Sequence, residues 1–161
     1  MINLTEMRLP LIVLLFVCLA VQPLMAQKRM PDFSFQDLSG KAFTQENVKK
    51  NMATIVFFFD PYCDHCQQQA EWINDMSRDF KNIQLIWVST ETPESIGEFQ
   101  KKHLNAKSLA LNTHFLVDTE FMFDSYFGYS EAPSMYLYDK SGKRVKSFTK
   151  ETPAKILLRY L

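Results

Sequence analysis

Ala53-Thr54-Ile55-Val56-Phe57-Phe58-Phe59-Asp60-Pro61-Tyr62-Cys63-Asp64-His65-Cys66 begins as an unbroken β-branched and aromatic run and ends on two cysteines. Residues 53–59 show no polar alternation, which is the pattern of a central strand covered on both faces. Asp60-Pro61 supplies turn chemistry. Beyond it Cys66, Ala70, Ile73, Met76 and Phe80 recur at helical spacing, so the spacing predicts an amphipathic helix from Asp64 to about Phe80. Strand, turn and helix meet at the cysteines.

Working outward, residues 83–89 form a second buried-type strand, Pro93 opens a helix running to about His103, and residues 115–117 form a short strand before a helix from about Thr119. Residues 135–138 and 145–148 flank Lys140-Ser141-Gly142-Lys143 as a hairpin, and Pro153 starts a terminal helix. Upstream, Phe33-Ser34-Phe35-Gln36 alternates, Asp37-Leu38-Ser39-Gly40 turns and Lys41-Ala42-Phe43 resumes, an N-terminal hairpin. Strand-helix alternation followed by an antiparallel hairpin specifies an α/β sandwich, a mixed central sheet flanked by helices.

The 161 residues fit one domain, and 47% hydrophobic content is ample for one core. Eighteen basic residues balance eighteen acidic ones, so the basic field that phosphate-backbone binding needs is missing and nucleic acid is not an expected partner. Residues 9–21 are apolar, follow Arg8, and lead through Pro23 to Leu24-Met25-Ala26. This reads as a signal peptide over 1–26, cleaved before Gln27, with a folded domain over 27–161. Glu6 and the bulky Leu24 keep an uncleaved membrane anchor as the alternative. Either way the expected location is the periplasm or cell envelope of a bacterium. Cys18 lies in the leader, where it reads as apolar filler, so Cys63 and Cys66 are the cysteines of the mature chain. A pair this close staples no distant parts of a fold, which points to chemistry instead.

Cys63-Asp64-His65-Cys66 has the spacing of a redox dithiol, placed at the mouth of a predicted helix. Amide N–H groups and the dipole at such a terminus favour an anion, so Cys63 is the candidate attacking thiolate and Cys66 the resolving thiol. A structural zinc site would need two further ligands, and only His65, His103 and His114 offer imidazole; an inert disulfide is the other alternative. No metal and no bound cofactor is expected beyond the Cys63–Cys66 disulfide itself. His65 and Asp64 are candidate tuning residues of opposite sense, an imidazolium favouring the Cys63 thiolate and a carboxylate opposing it. Tyr62, Trp72 and Trp87 are expected to pack, with Tyr62 also placed to touch a substrate. His103 and His114 read as ordinary surface or strand-end residues.

The run Phe57-Phe58-Phe59-Asp60-Pro61-Tyr62-Cys63-Asp64-His65-Cys66, with Asp37-Leu38-Ser39-Gly40-Lys41 before it and Glu131-Ala132-Pro133-Ser134-Met135-Tyr136-Leu137-Tyr138-Asp139-Lys140-Ser141-Gly142-Lys143 after it, resembles the envelope thioredoxin-like proteins of the TlpA/ResA type. Its wording around the cysteines is most similar to redoxin domains of Bacteroidetes-type bacteria. The resemblance runs from about Pro31 to the C-terminus. It implies a thioredoxin fold with the N-terminal hairpin as an extension, and a thiol:disulfide oxidoreductase with Cys63 as nucleophile and Cys66 as resolving thiol. It further implies a cis Ala132-Pro133 peptide facing the cysteines, whose backbone pairs with an extended substrate. The partners implied are cysteine-containing envelope proteins and a membrane thiol electron donor or acceptor.

Two positions depart from the pattern. Phe57 stands where thioredoxins carry a buried acid, and Gln69 stands where many TlpA-type proteins carry a glutamate. Asp60, Glu71 and Glu131 are the remaining candidates to take the Cys66 proton. Two rival activities stay open. A peroxidase of this fold resembles a Pro-x-x-x-Thr-x-x-Cys pattern, against which Asp60 replaces the threonine. A copper carrier resembles a Cys-x-x-x-Cys pattern with a distant histidine, His103 or His114, as third ligand.

Overall fold

The computed structural model describes residues 29–128 and 130–161. The expected signal peptide, its cleavage site and Cys18 lie outside the described residues. Among the described residues seven strands form one mixed sheet in the order β2-β1-β5-β4-β3-β6-β7. β1 (Ser34–Asp37) and β2 (Ala42–Thr44) are the expected N-terminal hairpin. β3 (Ala53–Phe58), β4 (Ile83–Ser89) and β5 (Thr113–Val117) run parallel. β6 (Ser134–Tyr138) pairs antiparallel with β3, and β7 (Arg144–Phe148) with β6.

Side chains alternate across the central strands and build two cores. One face carries Ile55, Phe57, Phe59, Leu85 and Trp87 against the buried sides of α1 (Asp64–Asp75), α2 (Ser77–Phe80), α3 (Pro93–His103) and α5 (Ala154–Leu158). The other face carries Val56, Ile86, Val88, Leu116 and Tyr136 against Phe33, Phe35 and α4 (Phe123–Phe127). Helices therefore cover both faces, which explains why the β3 sequence carries no polar alternation. Among the described residues no helix is long and apolar enough to cross a membrane.

Two helices differ from expectation. The helix expected over 64–80 breaks at Met76, whose φ of −99° and ψ of 23° leave helical geometry. There Asn74 turns its Oδ1 to the N–H groups of Asn105 (3.0 Å) and Ala106 (2.8 Å), drawing the end of α1 toward the segment after α3. The helix expected from Thr119 starts only at Phe123. The buried Asp118 carboxylate accepts from Met122 N (2.9 Å) and Phe123 N (2.8 Å), capping the helix late, and Phe121 sits at φ 55°, outside helical space.

Candidate active site

The parallel strands β3, β4 and β5 deliver their C-terminal ends, and β6 its N-terminal start, to one end of the sheet. Leaving β3, the chain turns on Asp60, whose carbonyl accepts Cys63 N (3.2 Å) and whose Oδ1 accepts Tyr62 N (2.8 Å). Gln67 Nε2 donates back to Pro61 O (2.9 Å) and fastens this turn to the helix. Cys63 is the N-cap of α1, its carbonyl accepting from both Cys66 N and Gln67 N at 3.0 Å. The β3 register thus fixes the thiol at the helix mouth, where the backbone N–H groups of the first turn point outward.

The two thiols have different surroundings. Cys63 is half-buried, with its Sγ 4.0 Å from the carbonyl oxygen of Ala132, across from the cis Ala132–Pro133 peptide. Cys66 is fully buried. Burial pushes the Cys66 thiol far above the ordinary thiol range; a hydrogen bond to the Asp60 backbone opposes the shift, and the charges of Cys63 and Asp60 add to it. An accessible sulfur above an inaccessible, protonated one is the arrangement that sequential attack and resolution require.

Tyr62 is 67% exposed beside Cys63, and its hydroxyl lies 2.7 Å from Ser95 Oγ at the start of α3. Asp64 is exposed in the first turn of α1. His65 pairs through Nδ1 with Glu151 Oε1 at 3.0 Å. Glu151 belongs to the strap between β7 and α5, and nothing in the sequence flagged it, because the contact spans 86 positions. One residue on, Thr152 N donates to Gln69 Oε1 (2.7 Å), so His65 and Gln69, one helical turn apart, both hold this strap against α1.

The positions discussed for proton transfer resolve differently. Phe57 lies stacked on Trp87, ring centroids 3.9 Å apart and planes within 4°, so an aromatic pair fills the place of an acid. Gln69 is fully buried and committed to Thr152. Glu71 is held by His103 at 2.9 Å. His103 itself is buried against Phe99, which corrects the surface position expected for it: an imidazole on the inner side of α3 meets a carboxylate of α1. Glu131 is exposed, and its carbonyl accepts from Ser134 Oγ (2.6 Å). His114 sits half-buried on β5 with its ring 4.8 Å from that of Phe43; burial first, then the Lys49 charge, lowers its proton affinity. Among the described residues no group of three or more His, Cys, Asp or Glu is arranged to hold a metal ion.

A profile of the AhpC/TSA family matches residues 26–147. A thioredoxin-like protein of Haemophilus influenzae is 20% identical over 70 residues, 44% of this chain and 42% of that protein; the chain thus spans less than half the length of that relative. Among solved structures, a secreted Mycobacterium tuberculosis disulfide oxidoreductase homologous to E. coli DsbE superposes with a TM-score of 0.64 at 17% identity, covering 80% of this chain and 96% of that one. The peroxidoxin BcpB from the same organism superposes with a TM-score of 0.67 at 15% identity, covering 83% and 94%. At such identities the superpositions establish a thioredoxin-like fold.

Proposed function

Because the chain belongs to the AhpC/TSA family of thioredoxin-like redoxins, we propose that it is a thiol:disulfide oxidoreductase of the TlpA/ResA type, exchanging electrons with cysteines of cell-envelope proteins. The observation that carries this reading is the half-buried Cys63, at the helix mouth and facing the Ala132 carbonyl, above the buried Cys66. In the reducing direction the Cys63 thiolate attacks one sulfur of a client disulfide. That S–S bond breaks, the leaving sulfur takes a proton, and a Cys63–client mixed disulfide remains. Cys66 then loses its proton and attacks Cys63 Sγ. The client leaves with two thiols, and the protein carries the Cys63–Cys66 disulfide until a membrane thiol donor reduces it. Run backward, the same steps oxidise a client.

Resolution needs an acceptor for the Cys66 proton, and Asp60 is the carboxylate whose charge acts on that thiol. Glu71 is engaged by His103 on the α1–α3 contact. The Ala132 backbone offers an edge for an extended client segment, with Tyr62 beside it. The envelope location rests on the expected leader over 1–26 and on the likeness to a secreted disulfide oxidoreductase.

Equilibrating the protein with glutathione buffers of known potential and trapping free thiols tests the reading. A single two-electron transition that Cys63→Ser abolishes is expected, with Cys66→Ser accumulating the mixed disulfide. Failure of the wild-type pair to cycle would sink the assignment. Peroxide consumption by the reduced protein that outpaced disulfide exchange would replace it with the peroxidase reading, to which the peroxidoxin likeness belongs.

A further inference from the structure

The chain is neutral overall, yet its charges are sorted by the ends of the sheet. Four segments surround the dithiol: 59–66 after β3, 90–95 after β4, 118–124 after β5 and 130–133 before β6. They contain Asp60, Asp64, Glu91, Glu94, Glu120 and Glu131 among their acids and no lysine or arginine. Asp64, Glu94, Glu120 and Glu131 are exposed. At the opposite end, the segments entering β3, β4 and β5 and the β6–β7 turn carry Lys49, Lys50, Lys81, Lys107, Lys140 and Lys143, against Glu46 and Asp139. Lys101 and Lys102 close α3 at that end, whereas Glu94 opens it. Lys150, beside Glu151 in the strap, is a basic residue near the dithiol segments.

The same end presents apolar surface. Tyr62 is 67% exposed and Phe121 74% exposed, the latter at φ 55°, a left-handed conformation that a bulky side chain adopts at a cost. Asp118 enforces that turn through its two backbone hydrogen bonds. The buried ring of Phe123, two residues on, lies 4.7 Å from Phe58 at the end of β3, so the Phe121 loop is anchored at the strand end that leads to Cys63.

From this charge partition around the dithiol we infer that the client is a lysine- or arginine-rich, cysteine-bearing polypeptide, drawn to the acidic end of the sheet and seated against Tyr62 and Phe121. The inference rests on the disulfide-exchange reading and names its substrate class. Surface potential of one sign around a reactive group raises the encounter rate with opposite charge and repels like charge, and salt screens both effects. The basic far end adds an orienting dipole, so a cationic chain meets the Cys63 end first.

Two short peptides with the same internal disulfide, one flanked by lysines and one by glutamates, test this against the reduced protein, with hydroxyethyl disulfide as a small neutral comparator. Each rate is divided by that of dithiothreitol with the same peptide, which removes the peptide's own reactivity. The expected result is a preference for the lysine peptide of about tenfold or more at low salt, collapsing at about 1 M salt, where the screening length is about 3 Å. Replacing Glu91, Glu94 and Glu120 by Gln together is expected to cut that preference at least about threefold, and Glu120→Gln alone to cut it in the same direction. Equal normalised rates for the two peptides, or a preference that salt does not touch, overturn the inference while exchange itself stands. No reaction with any of the three disulfides overturns the exchange reading and this inference with it.

Discussion

A thiolate at Cys66 would leave water for a medium that solvates it poorly, so burial holds this sulfur protonated. Its folded value lies above the ordinary 9.0, and the folded state therefore binds this proton more tightly than the unfolded chain does. The resulting stability is fully present below about pH 9 and is lost as pH rises above that. Closing the Cys63–Cys66 disulfide removes the proton and, with it, this dependence. Urea unfolding of both redox forms from about pH 7 to about pH 10 is expected to show the reduced form losing stability relative to the oxidised form above about pH 9. The Tyr138 hydroxyl, also pushed up by burial, titrates alike in both forms and cancels in the difference. A reduced-minus-oxidised difference that stayed flat with pH would contradict a buried, protonated Cys66. Cys63, Cys66 and the Ala132–Pro133 peptide were legible because each lies in a local sequence block. Glu151 and the His103–Glu71 pair were not, since they exist only once distant side chains meet in space.

Two hairpins of the sheet are closed by the same five-residue device. Asp37 Oδ1 accepts from Ser39 N (2.8 Å), Ser39 Oγ (2.6 Å) and Lys41 N (3.1 Å), and Asp139 Oδ1 accepts from Ser141 N, Ser141 Oγ and Lys143 N at those same distances. Gly40 and Gly142 supply the left-handed step, at φ 84° and 78°. The Ser39 hydroxyl first, and likewise the Ser141 hydroxyl, holds each carboxyl below its ordinary 3.8. Stability from these turns is thus present above that value and lost as pH falls below it. Replacing both Asp37 and Asp139 by Asn keeps an acceptor oxygen but removes the charge, so the acid limb of a stability profile from about pH 5 to about pH 2 is expected to flatten. An unchanged acid limb would place the acid sensitivity elsewhere. The α1 strap behaves differently because it is buried. Gln69→Ala leaves Thr152 N without its acceptor and opens space under the strap, an expected loss of about 2 to 3 kcal/mol in denaturant melts; a loss below about 0.5 kcal/mol would mean the strap repacks freely. Element types were readable from periodicity and turn residues, as in residues 83–89. The break at Met76 and the late start of α4 were not, since side chains of Asn74 and Asp118 decide them.

For the whole molecule, alternation of strands and helices announced a mixed sheet, but the strand order was beyond reach. Which strands become neighbours depends on pairings such as Ile55 with Leu137, between segments far apart in the chain. Nor did the balanced composition betray how its charges are distributed, because a count is blind to topology. Only when β3, β4 and β5 are laid parallel do acids outnumber bases around the dithiol and lysines outnumber acids at the other end. That partition carries a preparative signature. Near neutral pH, where a molecule of zero net charge ordinarily passes through ion-exchange columns, this one presents a face to each resin. At low ionic strength it is expected to be retarded on both anion and cation exchangers, and replacing Glu91, Glu94 and Glu120 by Gln is expected to weaken retention on the anion exchanger while sparing binding to the cation exchanger.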